Sequence, residues 1–271
     1  DLSLIRALFA SLANMAETLA NGEAGKWRSL LGRMDCLAVD QATNALKVSP
    51  TESLTSSHRH LSHLMAIHPL GLLTVDGTER DRATIAASLD QLEALGTKNW
   101  VGYSFAWAAC MEARAGRAEQ SGRYLRAFVA AFTLRNGFHA NGDQSGSSLS
   151  GFTYRPFTLE GNFAAAQAVH EMLLQSWGGI VRVFPSVPAS WPNASFTDLR
   201  AEGGLKVSAR RAGGQTVEIS ITATQPGRVR LLDPFSPSRA TWSDGRRREP
   251  QPGGTLEFTL REGQTLVGRV K

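Results

Sequence analysis

The sequence predicts a multi-domain chain: α-helical hairpins first, then a small antiparallel, β-sandwich-like domain. Three observations carry this. Apolar residues recur at helical spacing as far as about residue 177, the period falls to two after about residue 180, and the Pro-rich segment FPSVPASWPNA stands between the two regimes. The predicted division is residues 1–179 and 180–271. Leu4, Leu8, Leu12, Met15 and Leu19 mark the first amphipathic helix. Further helices are expected near 23–36, 60–68, 78–95, 101–116, 118–134 and 161–177, punctuated by Gly22, Gly96, Gly116 and the stop at Trp177–Gly179. Helices in series with short links are expected to pack as antiparallel hairpins. Two long irregular stretches, 37–57 and 136–159, read as functional loops, because bare loops of that length are uncommon inside a compact domain. In the later region Leu205, Val207 and Ala209 alternate with polar residues. So do Val217, Ile219 and Ile221, and Leu256, Phe258 and Leu260. Gly-Gly pairs at 203–204, 213–214 and 253–254 separate these strands. Such alternation predicts one buried sheet face.

The bulk numbers exclude several function classes. Hydrophobic content of 42% and charged content of 20% fit an ordinary globular protein. The net charge of +5 is spread along the chain, and Arg246–Arg248 falls between turn residues. No basic stripe with interleaved aromatics appears, so no nucleic-acid partner is expected. No run is long and apolar enough to span a membrane, and no membrane partner is expected. Cys36 and Cys110 each fall within a helical pattern and are expected to be buried small hydrophobes without a disulfide. The opening DLSLIRALF lies inside a helix pattern, with no methionine and no signal peptide. It reads as a fragment of a longer polypeptide, whose preceding portion would be a partner of this one.

Four of the six histidines fall in SSHRHLSHLMAIHPLG, residues 56–71. His58, His60 and His63 give H-x-H-x-x-H, a spacing that zinc sites use together with a carboxylate. No Asp or Glu lies between residues 53 and 75, so no metal is expected, and no cofactor. His63 and His68 read as core residues of a helix begun at Ser57. His58, Arg59 and His60 would then sit at its start, where imidazole and guanidinium donors suit a polyhydroxyl ligand. A second constellation is RPFTLEGNF, where Glu160 enters a helix whose nearly apolar body is expected to be buried. The helix N-terminus favours negative charge there, whether for chemistry or merely as a first-turn charge. A third, RNGFHANGDQSG, places His139, Asn141, Asp143 and Gln144 in a Gly-rich loop, read either as a loop tip or as facing a ligand. Trp100, Tyr103 and Trp107 offer faces for a sugar ring, or core.

SHRHLSHL, TLEGNFAAAQAVHEMLLQSWGGIVRVFPSVPASW and DLRAEGGLKVSA together resemble the C-terminal portion of glycoside hydrolase family 95, the inverting α-L-fucosidases. The resemblance covers roughly residues 1–235. It implies the later helices of an (α/α)6 barrel followed by a C-terminal β domain, and an oligosaccharide substrate carrying terminal fucose or a related sugar. The family's catalytic base is an aspartate in an IDGNFG-like motif, and the matching residue here is Glu160, in LEGNFA. Arg59 and His60 match a sugar-binding pair, with His58, Asn162, Trp100 and His139 as further candidate sugar contacts. The general acid implied by the resemblance lies on a segment preceding the one that Asp1–Phe9 resembles. Glu52, in SPTES, sits too late in the order for that role. Two alternatives are a non-catalytic carbohydrate-binding or scaffold protein and a polysaccharide lyase using Arg59, His60 and His139.

Overall fold

The computed structural model describes residues 1–270, in two compact units. The first comprises Asp1–Phe105 and Ala127–Gly161, and the second comprises Ala106–Arg126 and the chain from Asn162 onward. Helices α1 (Leu2–Thr18), α2 (Ala24–Gly32) and α3 (Glu79–Leu95) belong to the first unit. Helices α4 (Gly102–Arg114), α5 (Ala118–Phe132) and α6 (Leu159–Leu173) each contribute turns to both.

In the first unit α1 lies on α2, with Phe9 stacked on Trp27 at 5.7 Å between ring centroids. Only Ala13 and Ala16 of α1 are buried. The stripe that periodicity marks for burial is open, with Leu8 at 54% and Leu19 at 69% exposure. α3 begins with a capping box: the Asp81 N–H donates to Thr78 Oγ1 at 3.1 Å, and the Thr78 N–H donates to the Asp81 carboxylate at 2.8 Å. Its inner face buries Ile85, Leu89 and Leu92. Trp100 meets Phe105 edge to face at 5.0 Å, and Phe105 lies tilted against Phe132 at 4.9 Å, all three fully buried.

Residues 96–101, between α3 and α4, fasten both long loops. The Asn99 N–H donates to Ser57 Oγ at 3.0 Å, and Asn99 Nδ2 donates to the Ser57 carbonyl at 3.0 Å. On the other side the Gly151 N–H donates to the Lys98 carbonyl at 2.7 Å, and Ser150 Oγ donates to the Trp100 carbonyl at 2.6 Å. Long irregular segments must satisfy their backbone groups somewhere, and these do so partly on one short splice and partly within themselves.

In the second unit α4 meets α6 through the Arg114–Glu171 pair, in which Arg114 Nη2 donates to Glu171 Oε1 at 2.8 Å. Strands β1 (Leu174–Gln175) and β2 (Arg182–Val183) form a short hairpin. A five-stranded antiparallel sheet runs in the order β3 (Ala194–Ala201), β4 (Leu205–Ala212), β5 (Gln215–Ala223), β9 (Thr265–Val270), β7 (Ala240–Trp242). Strands β6 (Gly227–Leu232) and β8 (Thr255–Leu260) pair separately. Val207 faces Ile221 across β4 and β5, and both are fully buried with Ile219, Leu231 and Leu266. Gly213 and Gly214, at φ +56° and +81°, make the turn between those strands, a conformation side-chain-bearing residues rarely adopt.

Several expectations are corrected. The run 60–68 is no α-helix: only a 3₁₀ turn forms, at Ser62–Ala66, and Ser57 caps nothing. Pro69 disfavours helical backbone at His68, which cuts the segment too short to propagate. Cys110 is buried as expected, whereas Cys36 lies past the end of α2 and is exposed. The body of α6 is buried along one side only, and Phe163 is 68% exposed.

His63 and His68 do turn inward, His68 into the core and His63 partly. Burial, with His58 adding repulsion, pushes the His63 imidazole down to about 4. Its folded value lies below its unfolded one, so the unfolded chain binds the extra proton as pH falls through 6.5 toward 4. Stability conferred by neutral His63 is therefore complete above pH 6.5 and lost below it, by about 2–3 kcal/mol at pH 4. Urea unfolding at pH 7 and pH 4.5 should show wild type losing more stability than His63→Gln across that interval.

Candidate active site

The site forms where the starts of α4 and α6 meet the two long loops of the first unit. Helix starts leave backbone N–H groups without intrahelical acceptors. The Gly102 N–H of α4 donates to the Asn141 carbonyl at 3.1 Å, and the Asn141 N–H donates to the Pro156 carbonyl at 3.1 Å. Asn141 is thus locked at the mouth of α4. Thr158 precedes α6, and its carbonyl accepts from the Gly161 N–H at 3.1 Å. Glu160 stands in the first turn of α6 with its side chain exposed. Across from these, Ser104 Oγ donates to the Arg59 carbonyl at 3.0 Å, and the Arg59 guanidinium lies over the Phe152 ring at 5.8 Å. The His60 N–H donates to His58 Nδ1 at 3.1 Å, which folds the two imidazoles edge to face at 5.1 Å.

Arg59, His60, Val101, Tyr103, Asn141, Thr158 and Glu160 line one open pocket of about 350 Å³. That is at the small end of ligand sites. Its wall offers a guanidinium, an imidazole, a phenol, an amide, a threonine hydroxyl and a carboxylate, with Val101 as the apolar member. Three roomier depressions, of about 700 Å³ beside Cys36–Ala42, about 610 Å³ beside Arg246–Arg248 and about 440 Å³ beside Phe235–Ala240, contain neither Glu160 nor the histidine run. Partial burial, then the charges of Arg59 and His58, lower the His60 imidazole, which favours its neutral form. Asp143 serves the loop itself. Burial raises its carboxyl, but donors from Ser145, Ser147 and Leu149 outweigh that and hold it below its usual value.

Beneath the pocket lies His139, fully buried and stacked on Phe128 at 5.3 Å. Its Nδ1 is 2.9 Å from the Thr158 carbonyl and 2.9 Å from Thr158 Oγ1. A Cβ placed on Gly102 would come within 2.2 Å of its Nε2, and one on Gly161 within 2.3 Å of its Nδ1. The ring is wedged between two helix starts that only glycine allows so close. Burial lowers this imidazole too, partly opposed by the Thr158 bond and the Glu160 charge.

Of the residues singled out from the sequence, Arg59, His60 and Glu160 share the pocket. His58 is exposed beside His60 and outside that lining. Trp100 is corrected: it is fully buried against Phe105 and has no face for a sugar. His139 is corrected likewise, from a ligand-facing loop residue to a buried one. Asn162 follows in α6 and belongs to the second unit. Tyr103, read from the sequence as a sugar face or core, and Asn141, read as loop tip or ligand-facing, both join the lining, and so does Thr158, which had been assigned no role. Their only sequence signals were an aromatic helix start, a loop amide and a hydroxyl just before a helix. Among the described residues no group of three or more His, Cys, Asp or Glu side chains could hold a metal.

The chain belongs to glycosyl hydrolase family 95: residues 1–173 match the family's catalytic-domain model and residues 175–267 its C-terminal-domain model. Helices followed by an antiparallel sheet domain fit that pair. The chain is similar to Alpha-L-fucosidase 2 of Arabidopsis thaliana, 27% identical over 244 residues, which cover 86% of this chain and 27% of that protein. It therefore spans about a quarter of the length of the curated relative it matches. Among solved structures, a family 39 glycoside hydrolase from Bacteroides cellulosilyticus WH2 aligns at 14% identity and a TM-score of 0.24, covering 70% of this chain and 39% of that one. A GH127 beta-L-arabinofuranosidase from Geobacillus Stearothermophilus T6 aligns at 11% and 0.27, covering 71% and 31%. Structural similarity at that level carries no argument.

The wedge yields a stability test. Gly102→Ala and Gly161→Ala must each displace the His139 ring, and overpacking of that kind costs about 1–3 kcal/mol. Gly25→Ala, in α2 with nothing within 4 Å of the added Cβ, should be neutral or stabilising by up to about 1 kcal/mol. Chemical denaturation of the three variants would separate them, and equal behaviour at all three positions would remove the wedge from the account.

Proposed function

We propose that this chain supplies the base half of an inverting, α-L-fucosidase-like glycoside hydrolase. The observation that carries this reading is the convergence of Glu160, Arg59 and His60 on one pocket in a chain of family 95. Glu160 takes a proton from a water. The water oxygen forms a bond to the anomeric carbon as the glycosidic bond breaks on the opposite face. A general acid protonates the departing oxygen, and the sugar leaves with inverted configuration. That acid comes from a part of the polypeptide outside these residues, so this chain alone does not turn over substrate. The same missing part completes an (α/α)6 barrel, of which residues 1–179 are the later helices. The open stripe of Leu4, Leu8, Met15 and Leu19 on α1 supports that, because apolar surface of this kind is ordinarily covered.

The substrate is an oligosaccharide ending in fucose or a related sugar. Arg59 presents a fixed fork of donors to ring hydroxyls, and neutral His60 adds a donor and an acceptor. Glutamate in place of the family's aspartate carries its carboxylate one methylene further. This bears on which sugar fits beside it.

In the intact enzyme, Glu160→Gln keeps the shape but removes the base, and should lower kcat by roughly 10²–10⁴-fold with little change in substrate binding. Glu160→Asp restores the residue of the family motif and should retain activity. Steady-state kinetics on a fucoside, with folding checked by circular dichroism, decides it. Undiminished turnover by Glu160→Gln would reduce Glu160 to a first-turn helix charge.

A further inference from the structure

We propose that His139 is a positioning residue which, through Thr158, turns the amide of Asn141 so that its NH₂ end serves the pocket as a donor to a ligand oxygen. The inference rests on the reading of the Glu160 pocket as a sugar site and adds to it a donor, Asn141, and the device that aims it.

The argument follows from hydrogen-bond inventory. Nδ1 of His139 lies 2.9 Å from the Thr158 carbonyl, an oxygen that can only accept. Two lone pairs do not face each other at that distance, so Nδ1 carries the ring proton. Thr158 Oγ1, also 2.9 Å from Nδ1, then receives the same N–H and cannot give its own proton back. Its other partner is Asn141 Oδ1, to which the hydroxyl donates across a long contact of 3.5 Å. An amide oxygen held in this way fixes the other end of the group as the NH₂. Asn141 lines the pocket with Glu160, and its backbone is pinned by Gly102 and Pro156. The ring that starts the chain is itself immobile, between Gly102 and Gly161 and against Phe128. Burial also favours its neutral form, leaving Nδ1 as the single ring donor.

Two readouts test this, one independent of turnover. Nitrogen-15 NMR of the wild-type protein should show neutral His139 as the Nδ1–H tautomer at pH 8, and the Asn141 NH₂ resonances should shift when L-fucose is added. In the intact enzyme, Thr158→Val and Asn141→Ala should each lower kcat/KM by about 2–13-fold, the usual effect of one hydrogen bond. The double variant should be no worse than Asn141→Ala alone, because the threonine acts only through the amide. His139→Asn, whose amide sits near the place of Nδ1, should stay within a few-fold of wild type, and His139→Gln should not. An Nε2–H tautomer, or losses that add in the double variant, would overturn the proposal. Were Glu160→Gln fully active, the base assignment would fail, while the tautomer and the fucose shift at Asn141 would still decide this one.

Discussion

The imidazole of His139 occupies a space too narrow for any side chain on either wall, and the first unit's pocket is built on that fit. A Cβ on Gly102 or on Gly161 would stand 2.2 or 2.3 Å from a ring nitrogen, far inside contact distance. Two helix starts are thereby held close together, which concentrates backbone donors in one place. The loops answer them: the Asn141 carbonyl takes the Gly102 N–H, and the Thr158 carbonyl takes both the Gly161 N–H and His139 Nδ1. Glu160, Asn141 and Thr158 are brought to one wall by the same packing that satisfies the helix ends. The opposite wall is fastened separately, through Ser104 to the Arg59 carbonyl and Asn99 to Ser57.

The chemistry open to this pocket follows from what each group can give. Arg59 is a permanent cation whose guanidinium is steadied over Phe152. Neutral His60 offers one donor and one acceptor instead of a second positive charge. The pocket therefore pairs one carboxylate with one cation among uncharged hydroxyl and amide groups, a composition suited to a neutral sugar. The lyase alternative calls for several cations around a substrate carboxylate, and Arg59 is the one permanent cation in this lining. His139, counted toward that reading from the sequence, lies buried below it.

What the sequence disclosed depended on whether a residue's role was written in a period. Strand alternation placed β4, β5 and β8 nearly to the residue, because a half-buried sheet face enforces it. The helix expected near 78–95 starts at Glu79, close to where the sequence placed it. The histidine run misled, since apolar spacing around Leu61, Leu64 and Ile67 looks helical while Pro69 stops propagation. Trp100 illustrates a different ambiguity: an indole suits a sugar face and a core equally, and only burial decides. Arg59, His60 and Glu160 were selected by motif resemblance. Asn141 was read only as one of several loop residues that could face a ligand, and Thr158 was overlooked, because a loop amide and a hydroxyl before a helix are commonplace and their juxtaposition arises from long-range contacts that no local pattern encodes. His139 needed the two glycines opposite it, at sequence separations of 37 and 22 residues, to reveal its place.

The central claim is that the pocket at the starts of α4 and α6 receives the sugar ring that is cleaved off. Crystallography of the intact Glu160→Gln enzyme soaked with a fucosylated oligosaccharide tests it most directly. The account predicts the terminal sugar within hydrogen-bond distance of Arg59, His60 and the Asn141 amide. It also predicts a water between the residue-160 side chain and the anomeric carbon, on the face away from the leaving oxygen. A terminal sugar seated elsewhere, with this pocket holding only solvent, would contradict it.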